Sequence, residues 1–262
     1  MGKITEALKK VAQDRMARLE KMDKHEEVKY TFIAKKTVES KIDPRIVTFY
    51  DSKSSVAEQY RTLRTNIQSI ESKRPIKMIA IASSTNKEGK TITSINLAIS
   101  MALDLNKKKI LLMDGDLRRA SVSKYLGLSS KKGLVDLIYN GKNVDDALLD
   151  IGIENLTILP VGKIPSNPAE LLGSAKMKNL FSTLRTKYDY VIVDTPPIVS
   201  VTDAGIIGAQ VDGVIMVVQA GRTQKGVIKH SQTLFRQAQA KILGYILTNV
   251  QYHIPAYIYR YL

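Results

Sequence analysis

Three short stretches of this chain set phosphate- and metal-handling side chains at the ends of apolar runs. The first, Ser84-Thr85-Asn86-Lys87-Glu88-Gly89-Lys90-Thr91, follows the run Met78 to Ala82. A glycine at 89 lets the backbone approach a phosphate. The loop N–H groups and the start of the next helix favour its negative charge. Lys90 would reach the β and γ phosphates of a nucleotide, and the Thr91 hydroxyl would ligate Mg2+. Ser84 stands where the pattern Gly-x4-Gly-Lys-Ser/Thr has its first glycine. The expected nucleotide-binding set is Thr85, Asn86, Lys87, Glu88, Gly89, Lys90, Thr91 and Ile92.

The second stretch, Ile110-Leu111-Leu112-Met113-Asp114-Gly115-Asp116-Leu117-Arg118, ends in two carboxylates two residues apart. One can hold a metal shell while the other accepts a proton from an attacking hydroxyl. Asp116 is expected nearer the hydroxyl, and Arg118 is expected at phosphate or at a neighbouring subunit. The third stretch, Val191-Ile192-Val193-Asp194-Thr195-Pro196-Pro197, ends in an aspartate of the kind that binds Mg2+ directly or through water. Lys90, Asp114, Asp116 and Asp194 are the candidate catalytic residues, with Thr91, Asp116 and Asp194 around the metal. Asn249 closes the last apolar run and offers both donor and acceptor to a purine edge.

The chain ends in Tyr252-His253-Ile254-Pro255-Ala256-Tyr257-Ile258-Tyr259-Arg260-Tyr261-Leu262. Of its 12 tyrosines, 4 fall in these last 11 residues. A phosphate loop joined to a row of phenols suggests a protein that phosphorylates its own end, with Tyr252, Tyr257, Tyr259 and Tyr261 as acceptors.

The elements that position these groups follow from periodicity. Val/Ile/Leu runs are expected as strands at 78–82, 109–113, 156–160, 190–194, 214–219 and 242–249, each buried on both faces. Helical patterns are expected at 55–70, 91–105, 135–139, 145–149, 168–187 with a break near Gly173, 204–209 and 227–240. Alternating strands and helices predict an open, mostly parallel α/β sheet with helices on both faces. Ligands of such sheets bind at the carboxyl ends of the strands, where all three motifs lie. Residues 1–50 read as a basic amphipathic helix and linker, 51–250 as the nucleotide-binding domain, and 251–262 as a loose tail. Glu58, Arg61 and Arg64 fall roughly along one helical face.

Composition bounds the function. Cysteine is absent, so disulfides, thiolate metal sites and cysteine nucleophiles are excluded. A charge of +15 attracts anions. No zinc-finger or RNP pattern accompanies it, and nucleic acid is not expected as a partner. No run approaches the ~20 apolar residues of a membrane span. A cytoplasmic protein is expected, brought to a membrane by a partner.

These residues together resemble the bacterial tyrosine kinases of the polysaccharide co-polymerase system. The resemblance runs from about Ser55 to the C-terminus. It rests on the loop Ser84 to Thr91, Asp114-x-Asp116-x-Arg118, Asp194-x-x-Pro197, the Glu58/Arg61/Arg64 helix, Asn167-Pro168-Ala169-Glu170-Leu171-Leu172 and the tyrosine tail. It implies a P-loop kinase distantly related to MinD and ParA ATPases, using ATP and Mg2+. It implies a ring-like homo-oligomer assembled through the Glu58/Arg61/Arg64 helix, with the tail of one copy phosphorylated by its neighbour. It implies the cytoplasmic segment of a membrane activator, other protein substrates, and a role in capsule or exopolysaccharide synthesis and export. Asn86-Lys87 departs from the Pro-Gly of related loops. A MinD-like ATPase that dimerises without phosphotransfer is the rival reading, and a nucleotide-sensing adaptor a third.

Overall fold

Adjacent residues of a strand point to opposite faces of its sheet, so an unbroken apolar run fits only a sheet covered on both sides. The computed structural model describes residues 42–71, 75–129, 132–140 and 144–250. Along them run α1 (Val47–Tyr50), α2 (Ser55–Glu71), β1 (Met78–Ser83), α3 (Lys90–Ala102), β2 (Ile110–Asp114), α4 (Ser121–Tyr125) and α5 (Leu134–Asn140). A 3-10 turn at Val144–Ala147 leads to β3 (Leu149–Asp150) and β4 (Leu156–Leu159). Then come α6 (Pro168–Gly173), α7 (Ala175–Lys187), β5 (Tyr190–Asp194), α8 (Asp203–Gly208), β6 (Gly213–Gln219), α9 (Lys225–Gln237) and β7 (Ile242–Thr248).

The seven strands lie in the order β3-β4-β2-β5-β1-β6-β7. All pairings are parallel except β3 with β4. Ile79, Ile81, Ile110, Leu112, Ile192, Ile215 and Val217 face one core with α2 and α3. Met78, Ala80, Leu111, Met113, Val191, Val193, Val214 and Met216 face the other, with α5 to α9. Every residue of β1, β2 and β5 is buried. Each such aliphatic side chain contributes about 1.5–3 kcal/mol relative to exposure. The centre of the sheet is therefore a stiff platform for whatever stands at its strand ends.

Several elements differ from the sequence pattern. The 145–149 stretch is a 3-10 turn followed by the antiparallel edge strand β3, too short to carry a period. The break near Gly173 is real: the Ser174 hydroxyl accepts from the Met177 N–H at 3.2 Å and starts α7 anew. The compact body also takes in residues ahead of the expected boundary at 51. Ile46 and Thr48 are buried, and Asn96 of α3 accepts from the Thr48 N–H and hydroxyl at 3.0 and 2.9 Å. The N-terminal arm before residue 42 and the tyrosines at 252, 257, 259 and 261 lie outside the described residues.

Candidate active site

Strand register brings the three motifs together. The Cα of Asp114 pairs with that of Asp194 across β2 and β5, and Ile81 of β1 pairs with Asp194 on the other side. Beyond β1 the chain enters the phosphate loop, and Gly89 at its end has φ +96°, the left-handed region that glycine adopts without strain. Gly115 serves a different need. A Cβ there would lie 2.7 Å from the Asp194 carbonyl oxygen. Its absence lets the Gly115 N–H donate to that oxygen at 2.8 Å and draws Asp116 against β5.

The carboxylates are buried, with Asp114 and Asp194 at 0% exposure and Asp116 at 1%. Asp194 is gripped by two hydroxyls of α3. Thr91 donates to Oδ2 at 2.7 Å and Ser94 donates to Oδ1 at 3.1 Å. The Lys90 ammonium lies 3.5 Å from Asp116 Oδ2 and 3.3 Å from Thr91 Oγ1. Asp114 turns the other way: its oxygens accept the N–H groups of Asp116 and Val122 at 3.1 and 3.0 Å. Asp114, expected to be catalytic, thus holds the β2 turn and stands behind Asp116.

Asp116 and Asp194 lie near the one ammonium, and Asp114 is buried behind them with its oxygens on backbone N–H groups. Burial pushes Asp114 well above the usual carboxylate range, with the Asp194 charge adding to the rise. Burial also raises Asp194, while the Lys90 charge and the Thr91 hydroxyl hold it down. Asp116 Oδ2 is buried and accepts no hydrogen bond. An orphaned carboxylate oxygen beside a threonine hydroxyl and a surplus of negative charge fits a divalent cation. Mg2+ takes one or two carboxylates and completes its shell with water and phosphate oxygens. Thr91, Asp116 and Asp194 are the residues that would hold the ion.

Other expected residues are placed differently. The Arg118 guanidinium makes two bonds, 2.9 and 3.0 Å, to the fully buried Asp203 of α8. Asp203 was not anticipated, because nothing marks a carboxylate 85 residues from its arginine. The Glu88 side chain is engaged within the protein. One carboxylate oxygen accepts the Thr85 N–H at 2.8 Å and the other accepts the Thr223 hydroxyl. Asn86 and Lys87 form the loop tip, with Lys87 at φ 64°. Ile92 follows Thr91 in the first turn of α3 and packs with the α2–α3 core. Asn249 follows β7, exposed and left-handed at φ 54°. Ser94 was also missed, though its i+3 spacing from Thr91 puts both hydroxyls on one face of α3.

On α2 the three charged residues do not act alike. Glu58 and Arg61 pair with each other, 61% and 36% exposed. Arg64 is 17% exposed, donates to the Ser100 carbonyl at 2.6 Å and lies 3.8 Å from Asp104. Arg64 is therefore tied to its own α3, whose crowding was invisible in the sequence.

Residues 76–242 match the family model described as an AAA domain. The chain is 36% identical over 208 residues to tyrosine-protein kinase YwqD of Bacillus subtilis (strain 168), covering 79% of this chain and 87% of that one. Among solved structures it resembles the kinase domain of the Escherichia coli tyrosine kinase ETK, with TM-score 0.75 and 26% identity over 84% of this chain and 86% of that one. A more distant likeness, TM-score 0.55 and 25% identity, joins it to the septum site-determining protein MinD of Pyrococcus horikoshii OT3 complexed with Mg-ADP; it covers 70% of this chain and 75% of that one.

Proposed function

The chain belongs to the bacterial tyrosine-protein kinases built on a P-loop domain, and from that premise we propose that it phosphorylates its own C-terminal tyrosines with ATP. Tyr252, Tyr257, Tyr259 and Tyr261 are the acceptors. Transfer runs between neighbouring copies of a ring-like homo-oligomer. The cytoplasmic segment of a membrane activator holds the kinase at the inner face of the membrane and completes its site. Its output regulates capsule or exopolysaccharide synthesis and export, and other proteins serve as further substrates. The resemblance supports these assignments. Among the described residues no helix is long and apolar enough to cross a membrane.

One observation carries the reading. Lys90, Thr91, Asp116 and Asp194 converge at adjoining strand ends, and β7, the last described strand, ends against the loop that carries Lys90. The Thr248 hydroxyl at the end of β7 donates to the Glu88 carbonyl of the phosphate loop at 2.8 Å.

Bound Mg2+ supplies positive charge to the phosphoryl oxygens. The Lys90 ammonium, now drawn to Asp116, turns to the β and γ phosphates and stabilises charge that grows in the transition state. Asp116, released from Lys90, takes the phenol proton. The phenol oxygen bonds to phosphorus, the bond to the β–γ bridging oxygen breaks, and ADP leaves. Thr91 and Ser94 keep Asp194 oriented throughout.

The test mixes two variants, a full-length Lys90→Met chain and an active chain truncated after Gln251. Phosphotyrosine on the Lys90→Met chain is expected. No transfer, with the truncated chain still phosphorylating an added tyrosine peptide, rejects transfer in trans. ADP formation without phosphotyrosine on any chain selects the MinD-like ATPase instead.

A further inference from the structure

The phosphate loop is braced from outside by residues that no motif contains. Glu88 is 1% exposed, and every acceptor it offers is in use. Its side chain closes the turn on the Thr85 N–H at 2.8 Å and takes the hydroxyl of Thr223 from the β6–α9 connection. Its carbonyl accepts the Thr248 hydroxyl at the end of β7. Beside it, Arg222 donates to the Lys87 carbonyl at 3.2 Å. The loop is thereby fastened to the ends of β6 and β7, the strands that lead to Asn249. A buried carboxylate is costly unless fully hydrogen-bonded, so this one is a rigid post. It also stands where rigidity is needed. Lys87 at the loop tip holds a left-handed backbone that disfavours a lysine.

We infer that Glu88 is a positioning residue: through Thr223 and Thr248 it locks the phosphate loop to the β6 and β7 ends, so that phosphate and base are gripped by one pre-set unit. The inference rests on the nucleotide-binding reading of the same loop. It says that the brace acts on nucleotide affinity through the loop and takes no part in proton transfer.

The test uses the full chain with Mg·ADP for binding and Mg·ATP for turnover. Glu88→Ala is expected to raise the Mg·ADP Kd and the ATP KM by about tenfold, the scale of one hydrogen bond to a charged group. The value of kcat should stay within about threefold, because Lys90 and Asp116 are untouched. Glu88→Gln should recover most of the affinity, since its amide can still accept from Thr85 and donate to Thr223. Thr223→Val, which leaves the loop sequence intact, should weaken binding by about threefold, and adding it to Glu88→Ala should cost nothing more. Unchanged Kd with a lowered unfolding midpoint makes the contact merely structural and overturns the inference. So does a Glu88→Gln chain as weak as Glu88→Ala, or full additivity with Thr223→Val. If the unaltered chain binds no Mg·ADP, the nucleotide reading falls together with the brace. If it binds Mg·ADP but makes no phosphotyrosine, the kinase reading fails and the brace is judged by Kd alone.

Discussion

Two groups of charged side chains in this protein are governed by different physics. At the strand ends, Asp114, Asp116 and Asp194 are buried, and one lysine, Lys90, stands against Asp116. On α2, Glu58 and Arg61 face solvent and neutralise each other. The buried group carries more negative than positive charge, and burial pushes Asp114 and Asp194 above the usual carboxylate range. The exposed pair is balanced and screened, and such pairs contribute about 0–1 kcal/mol. A buried surplus of charge calls for a ligand, whereas a solvated pair, even with Arg61 also on the Ser52 carbonyl, is weakly held. The first suits chemistry and the second suits a reversible contact.

The sharpest way to break this contrast is at Lys90. Lys90→Met is expected to lower autophosphorylation by about a hundred- to a thousandfold, the cost of losing one preorganised transition-state contact. Mass gain with Mg·ATP measures it, and an unchanged rate would remove the strand ends from the chemistry.

Asp194→Asn should show the buried charge from its other side. With its pKa raised in the folded state, Asp194 favours folding when protonated. Its contribution is complete below the ordinary carboxylate value of about 3.8 and is lost as pH rises through the raised one. Without nucleotide, the variant should therefore gain on the parent in unfolding midpoint as pH rises from about 4 to 7, by a few degrees. The Mg·ADP-induced rise in midpoint should vanish in the variant and grow with pH in the parent, because the ion needs an ionised carboxylate. A midpoint difference flat in pH would show that the charge is not strained.

Arg118 lies between the two regimes, half-exposed on a fully buried partner. Removing one member of a buried pair costs about 3–5 kcal/mol, and the exposure of Arg118 scales this to about 1–3 kcal/mol for Arg118→Ala. Urea unfolding would measure it; a value near zero would make Asp203 indifferent to its arginine.

The smallest effect on folding is expected at Arg61. Arg61→Ala should change monomer stability by under about 1 kcal/mol while reducing self-association in light scattering. Arg64→Ala should cost more stability, because Arg64 is the more buried and ties α2 to the Ser100 carbonyl of α3, whereas Arg61 bonds the nearby Ser52 carbonyl. Equal costs for the two would erase the distinction between clamp and contact face.

Much of this was legible in the chain. The loop 84–91, the strand-end aspartates and the parallel sheet all follow from residue type and period, which are local signals. What escaped was pairing across distance. No pattern told that Asp114 would meet Asp194 in register, that Glu88 would turn to Thr223, or that Asp203 would take Arg118. Such contacts arise only once the crossovers stack the strands. Arg64 illustrates the same limit. Its spacing reads as a solvated face, but α3 packs so closely that its guanidinium bonds to that helix instead. The edge strand β3 was missed because two residues carry no period.

The central claim is that the strand-end cluster transfers phosphate to the chain's own tail. Its most direct test is intact mass after incubation with Mg·ATP, comparing the full chain with one truncated after Gln251. Phosphate additions on the full chain, absent from the truncation, are the predicted result. ADP accumulating with no mass gain on either chain, even with an activator segment present, would contradict it.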